Sequence, residues 1–210
     1  MYKLGLIGTP LTHSFSKKHF DIKFKKEKIN HFSYNLYPIN NLHQINNFIY
    51  INKLSGLNVT KPFKTDIIKY LDKIDCLSEE TQSVNTIYIN LKTQKKIGFN
   101  TDVQGFNHTL EKINLQKKTH ALILGSGSVS QTISYCLRKK NIPHATVSRK
   151  PEENMMSYHE LPNTIKKFHL IINTTPLGQH PNINVSPNIP YNLISNNHFC
   201  IDLTYNPEKT

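Results

Sequence analysis

A chain of 210 residues has room for one large domain or two small ones, and 37% apolar content permits a lean core. No apolar run approaches the roughly eighteen residues of a membrane span. The start, Met1-Tyr-Lys-Leu-Gly-Leu-Ile-Gly8, reads as a short strand rather than a secretory leader, so the expected compartment is the cytoplasm, with no membrane partner. Lys and Arg outnumber Asp and Glu by 26 to 14, a formal charge of +12, but the lysines are scattered in pairs such as Lys17-Lys18, Lys95-Lys96 and Lys139-Lys140. They form no stripe with interleaved aromatics, which argues against a nucleic-acid partner. The excess is expected to steer an anionic small molecule toward the protein.

In chain order, strand-like and helix-like segments alternate, the pattern of parallel sheets flanked by helices. Residues 4–8 read as a strand and 16–28 as a helix, with Phe20 and Phe24 four apart on one face. A strand over 32–38, a helix over 41–50 and a strand over 57–60 follow. Residues 65–70 read as a short helix and are followed by a polar segment. Segments 84–90 and 96–101 read as a hairpin pair around residues 92–95, then a helix spans 102–114. A second alternation starts at 120: a strand over 120–124, a Gly-rich turn, a helix over about 129–140 and a strand over 144–147. After a polar stretch, 170–173 and 199–203 read as strands. The restart implies an α/β fold of two domains, residues 1–102 and 103–210, joined near the 102–114 helix. The first is read as an open α/β domain, the second as Rossmann-type, with a cleft between them.

The polar residues fall at the ends of these strands. In Gly56-Leu-Asn58-Val-Thr60-Lys-Pro62-Phe-Lys64 an amide, a hydroxyl and an ammonium lie within seven residues. Open α/β sheets bind ligands at the carboxyl ends of their strands, and this trio suits a small substrate rich in hydroxyls. Lys64 is a credible proton-transfer residue. Gly8-Thr-Pro10-Leu-Thr-His13-Ser14-Phe-Ser16 puts two hydroxyls at a helix start, where they suit a carboxylate or an ordinary helix cap. Ser83-Val-Asn85-Thr86 opens a strand, and Gly98-Phe-Asn100-Thr101-Asp102 ends one on a carboxylate.

Gly125-Ser-Gly127-Ser-Val-Ser130 follows a strand and opens a helix. Gly125 suits a tight turn and Gly127 a close approach of backbone to a pyrophosphate. Ser130 stands where the motif has its third glycine and is small enough for close packing. The next strand ends in Val147-Ser148-Arg149-Lys150, with no carboxylate for a ribose 2′-hydroxyl. Arg149 and Lys150 favour a 2′-phosphate, with Ser148 as a donor, so the expected cofactor is NADP. Cys76, Cys136 and Cys200 are far apart and odd in number, and no His-Glu-x-x-His spacing occurs, so neither a disulfide framework nor a metal site is expected.

Taken in order, these motifs resemble the shikimate dehydrogenase family. Gly-x-Pro-x-x-His-Ser-x-Ser, Asn-Val-Thr-x-Pro-x-Lys, Val-Asn-Thr and Asn-Thr-Asp-x-x-Gly all occur. Two later signatures also occur, Asn173-Thr-Thr175-Pro-Leu-Gly178 and Asp202-Leu-Thr-Tyr205-Asn-Pro207-Glu-Lys-Thr210. The resemblance implies reduction of 3-dehydroshikimate to shikimate with NADPH, in aromatic amino-acid biosynthesis. It implies a catalytic pair, Lys64 and Asp102. Ser14 and Ser16 would hold the substrate carboxylate, with Asn58, Thr60, Asn85 and Tyr205 as further substrate contacts. Gly125, Ser126, Gly127, Ser128, Val129, Ser148, Arg149, Lys150, Thr174 and Thr175 would hold the cofactor. The first domain would bind substrate and the second NADP, in a monomer or homodimer.

The chain departs from the family pattern in places. The usual phosphate turn Gly-Ala-Gly-Gly-Ala has Ser126, Ser128 and Val129 here, which is expected to weaken or reposition cofactor binding. Ser148-Arg149-Lys150 stands for Asn-Arg-Thr, Gln179 for a usual Met and Gln82 for a frequent Gly. The family continues into further helices past the position of Thr210, so impaired activity and marginal stability are expected. The alternatives are a quinate/shikimate dehydrogenase using NAD, or a truncated ligand-binding form.

Overall fold

In the computed structural model, residues 1–12, 14–116 and 118–207 are described; the His of the first motif and the Glu-Lys-Thr end of the last signature lie outside them. The chain divides into two compact units, Met1–Asp102 and Val103–Thr210, each carrying one sheet with helices interspersed, an α/β fold.

The first unit contains β1 (Tyr2–Gly8), α1 (Ser16–Lys26), β2 (Phe32–Pro38), α2 (Ile45–Asn52), β3 (Leu54–Val59), β4 (Lys73–Ile74), α3 (Cys76–Thr81), β5 (Thr86–Ile89) and β6 (Lys96–Phe99). Its strand order is β2-β1-β3-β5-β6-β4. β1 runs parallel to both β2 and β3, while β5 is antiparallel to β3 and to β6. The central strands are nearly continuous apolar runs because both faces are covered. One face packs Ile7, Leu57 and Val59 against Ile45 and Ile49 of α2. On the other, Leu6, Leu11 and Tyr34 pack with Phe20 and Phe24 of α1.

At the carboxyl end of β1 the backbone closes tightly on the loop after β3. A Cβ on Gly8 would lie 2.3 Å from Thr60 Cγ2 and 3.0 Å from the Lys61 carbonyl oxygen, so only glycine fits without displacing that loop. The hydrogen bonds Thr60 N–H to Ile7 O (3.0 Å) and Thr9 N–H to Lys61 O (3.2 Å) fix the approach.

The second unit contains β7 (Ala121–Leu124), α5 (Ser128–Lys139), β8 (His144–Ser148), β9 (Met156–Ser157), α6 (Leu161–Thr164), β10 (Leu170–Asn173) and β11 (Phe199–Asp202). The order is β11-β10-β7-β8-β9, all parallel. β7 and β10 are buried at every position. α4 (Asp102–Glu111) starts on the last residue of the first unit and continues into the second. No described helix is long and apolar enough to cross a membrane.

Candidate active site

Sheet register assembles the polar ends of the first unit. β3 pairs with β5 so that Asn58 lies opposite Thr86, and the Asn58 amide donates to Thr86 Oγ1 at 3.1 Å. The Thr86 hydroxyl donates to Asn85 Oδ1 at 3.0 Å. The Asn85 amide donates to Asp102 Oδ1 at 2.7 Å. On the other carboxylate oxygen, Asp102 Oδ2 accepts from Lys64 Nζ at 2.7 Å. Sequence separation between Lys64 and Asp102 is large, and the sheet closes it.

This pair is anchored from the backbone. Lys64 lies just beyond the turn closed by Phe63 N–H to Thr60 O, and its carbonyl accepts from Val84 N–H at 2.8 Å, tying it to the Val84-Asn85-Thr86 motif. Asn100, 1% exposed, accepts the Asp102 N–H at 3.1 Å and donates to Thr81 Oγ1 at 2.8 Å. That is a side-chain turn which aims the first residue of α4. A carboxylate at this helix start is also favoured by the free N–H groups of the first turn. The Lys64 side chain is 14% exposed and Asp102 37%, so the pair is half-buried but reaches water.

At the start of α1, the Ser14 hydroxyl accepts the Ser16 N–H at 3.3 Å. At the other end of the network, the Tyr34 hydroxyl donates to Asn58 Oδ1 at 2.8 Å. The result is one hydrogen-bonded series: Tyr34, Asn58, Thr86, Asn85, Asp102 and Lys64. Each donor from Tyr34 to Asn85 points toward the Asp102 carboxylate, and aligned hydrogen bonds reinforce one another in a partly buried setting. Tyr34, Thr86 and Asn100 are absent from the candidates read off the sequence. Thr86 and Asn100 stood inside motifs already singled out, whereas Tyr34 lies in a strand that carries no signature. Thr60 sits at the end of β3 against Gly8, half-buried. Tyr205 is in the second unit beyond β11 and is 61% exposed.

In the second unit the Gly-rich turn connects β7 to α5. Gly125 has φ of +109°, and a Cβ there would meet Thr174 Oγ1 at 2.9 Å, so the turn needs glycine on both counts. Around a Cβ placed on Gly127, by contrast, no atom lies within 4 Å, an open cradle over the start of α5. Gly127 caps α5 without a side-chain bond, and the first turn holds no acid, leaving N–H groups and the positive dipole end for an anion. Ser128 and Val129 form that first turn, and Ser130 is 3% exposed. These features fit a pyrophosphate.

Thr174 donates to Leu124 O at 2.7 Å and Thr175 to Asn173 Oδ1 at 2.6 Å, so both hydroxyls brace the strand ends around Gly125. Asn173 also donates to Asp202 Oδ1 at 3.1 Å, joining the ends of β10 and β11. The two serine departures meet: Ser126 and Ser148 share a hydroxyl–hydroxyl bond of 3.0 Å, tying the turn to the end of β8. Ser148 also accepts the Lys150 N–H and is only 7% exposed, whereas Arg149 and Lys150 are exposed beyond it. Among the described residues, no cluster of three or more His, Cys, Asp or Glu suits a metal ion.

A groove of about 660 Å³ in the second unit is lined by Lys166, His169, Ser195 and His198. It lies beside the residues that precede β10 and β11, at the amino ends of the strands, away from the ends where such sheets take ligands.

Comparison with known proteins places this geometry in a family. A family profile described as the shikimate dehydrogenase substrate binding domain matches residues 6–87. A shikimate dehydrogenase (NADP(+)) of Methanococcus maripaludis is 38% identical, with 97% of this chain and 78% of that protein covered. Shikimate dehydrogenase 1 from Peptoclostridium difficile superposes with a TM-score of 0.84 at 29% identity, over 100% of this chain and 80% of that one. A shikimate dehydrogenase solved in complex with NADP+ gives 0.82 at 29% identity, over 100% and 79%. With 97% of its length matched to a relative of that identity, this chain belongs to the shikimate dehydrogenase family.

Proposed function

We propose that the protein reduces 3-dehydroshikimate to shikimate with NADPH, residues 1–102 binding the substrate and 103–210 the cofactor. The observation that carries this reading is the connected series from Tyr34 to Lys64. It combines amides and hydroxyls suited to ring hydroxyls with an ammonium held by a carboxylate.

The bound cofactor supplies the hydride, and Gly125, Gly127 and the amino terminus of α5 would hold its pyrophosphate. Arg149 and Lys150, exposed at the end of β8, would attract its 2′-phosphate. Hydride addition to a ketone carbon pushes an electron pair onto the oxygen, and one proton must arrive there. Lys64 Nζ stabilises the developing negative charge and donates the proton, leaving a neutral amine that solvent reprotonates. In the reverse direction neutral Lys64 takes the hydroxyl proton. Asp102 fixes the lysine's direction through its 2.7 Å contact and accepts from a neighbouring ring hydroxyl. Ser14 and Ser16 orient the carboxylate. Asn58, Thr60 and Asn85 bind the hydroxyl edge, with Tyr205 as a further substrate contact.

Initial rates with shikimate or quinate, each with NADP+ or NAD+, test the reading. Shikimate with NADP+ is expected to give the highest kcat/KM, by at least about tenfold, one hydrogen bond or one phosphate contact being worth roughly that factor. A higher value for quinate with NAD+ would replace the substrate and cofactor assignment.

A further inference from the structure

Tyr34 lies in β2, while Asn58 is in β3 on the far side of β1. The phenol is 2% exposed, its ring stacked on Phe20 at a centroid distance of 4.2 Å and an interplanar angle of 15°. A phenylalanine would fill the same volume. The hydroxyl is therefore the informative atom, because burying it without partners is costly. Its proton goes to Asn58 Oδ1 at 2.8 Å. With Asn58 Oδ1 accepting from Tyr34 and Nδ2 donating to Thr86, the amide cannot turn over without breaking both bonds. The phenol thus holds a residue read as a ring-hydroxyl contact.

We propose that Tyr34 is a positioning residue for ligand recognition, setting the Asn58 amide with its donated proton. The proposal rests on the substrate reading above. Burial pushes the Tyr34 hydroxyl up to about 12. The phenol therefore remains a proton donor throughout the neutral range. Its protonated state favours the fold fully below the ordinary value near 10, and that contribution fades as pH climbs toward 12.

The test is Tyr34→Phe in the full chain, with shikimate and NADP+ binding measured by calorimetry and the Asn58 side-chain amide followed by NMR without ligand. The variant is expected to weaken shikimate about tenfold, as for one lost hydrogen bond, to leave NADP+ within about twofold, and to shift or broaden the Asn58 amide pair. Combined with Asn58→Ala, the two losses are expected to be less than additive, because the residues act on one contact. Unchanged shikimate affinity, additive losses, or an equal loss of NADP+ affinity would overturn the proposal. Should wild-type protein fail to bind shikimate, the substrate reading fails, and an Asn58 amide unmoved by Tyr34→Phe would overturn the positioning role on its own.

Discussion

Lys64→Ala is expected to lower kcat about a thousandfold while KM changes by less than about threefold, in keeping with loss of a positioned proton donor. The geometry asks for this split. Lys64 Nζ is held by one short contact to Asp102 Oδ2, and the ring-hydroxyl contacts proposed for Asn58, Thr60 and Asn85 are left in place by the substitution. Folding should survive, because Asp102 keeps its bond from Asn85 and is partly open to water, which limits the penalty for losing the ammonium. Steady-state kinetics together with a urea melt separate the two effects. A kcat within about threefold of wild type would remove Lys64 from the proton-transfer step.

Replacing Arg149 and Lys150 together by alanine is expected to raise KM for NADPH about thirtyfold and to leave KM for NADH nearly unchanged. Two exposed cations contribute about 1 kcal/mol each to a phosphate contact, and their sum sets that factor. The serine pair behind them leaves the proposed discrimination to the two cations. Ser148 is engaged with Ser126 and with the Lys150 N–H, so its hydroxyl holds the loop in shape. An equal loss with both cofactors would mean that these residues act on the fold of the loop and not on the 2′-phosphate. High salt should reproduce part of the effect in the wild-type protein, since exposed charges are screened.

The elements that position these residues were largely legible. Residues 32–38 and 170–173 read as strands with the bounds observed, because apolar or β-branched runs end in clear breaks. The helix read over 41–50 forms over Ile45–Asn52, since its N-terminal residues turn before the helix begins and Lys53 ends it in a left-handed conformation. The strand read over 57–60 starts earlier, at Leu54, where pairing with β1 extends it.

The polar segment after residue 70 hid β4 and α3. α3 is only six residues long and owes its start to Asp75, whose carboxylate caps the Ser78 N–H at 2.9 Å, a signal present in the sequence but too short to show as periodicity. The polar stretch after β8 hid β9 and α6 for the same reason.

At the candidate site, what motifs announce is the chemistry, and what they leave out is the support. Lys64, Asp102, Asn58 and Asn85 stand in recognisable strings. Tyr34 reads from sequence as one more aromatic in a half-buried strand, and only the β2-β1-β3 order brings its hydroxyl to Asn58. The meeting of Ser126 with Ser148 was equally invisible, because it depends on the pairing of β7 with β8. Long-range register of that kind has no local trace.

The most direct test of the proposed reaction follows NADPH absorbance when 3-dehydroshikimate is added to wild-type protein and to Lys64→Ala side by side. The expected result is loss of NADPH equal to the shikimate formed with the wild type, and a rate about a thousandfold lower with the variant. A cooperatively folded wild-type protein that leaves NADPH untouched, or two proteins that consume it at the same rate, would contradict it.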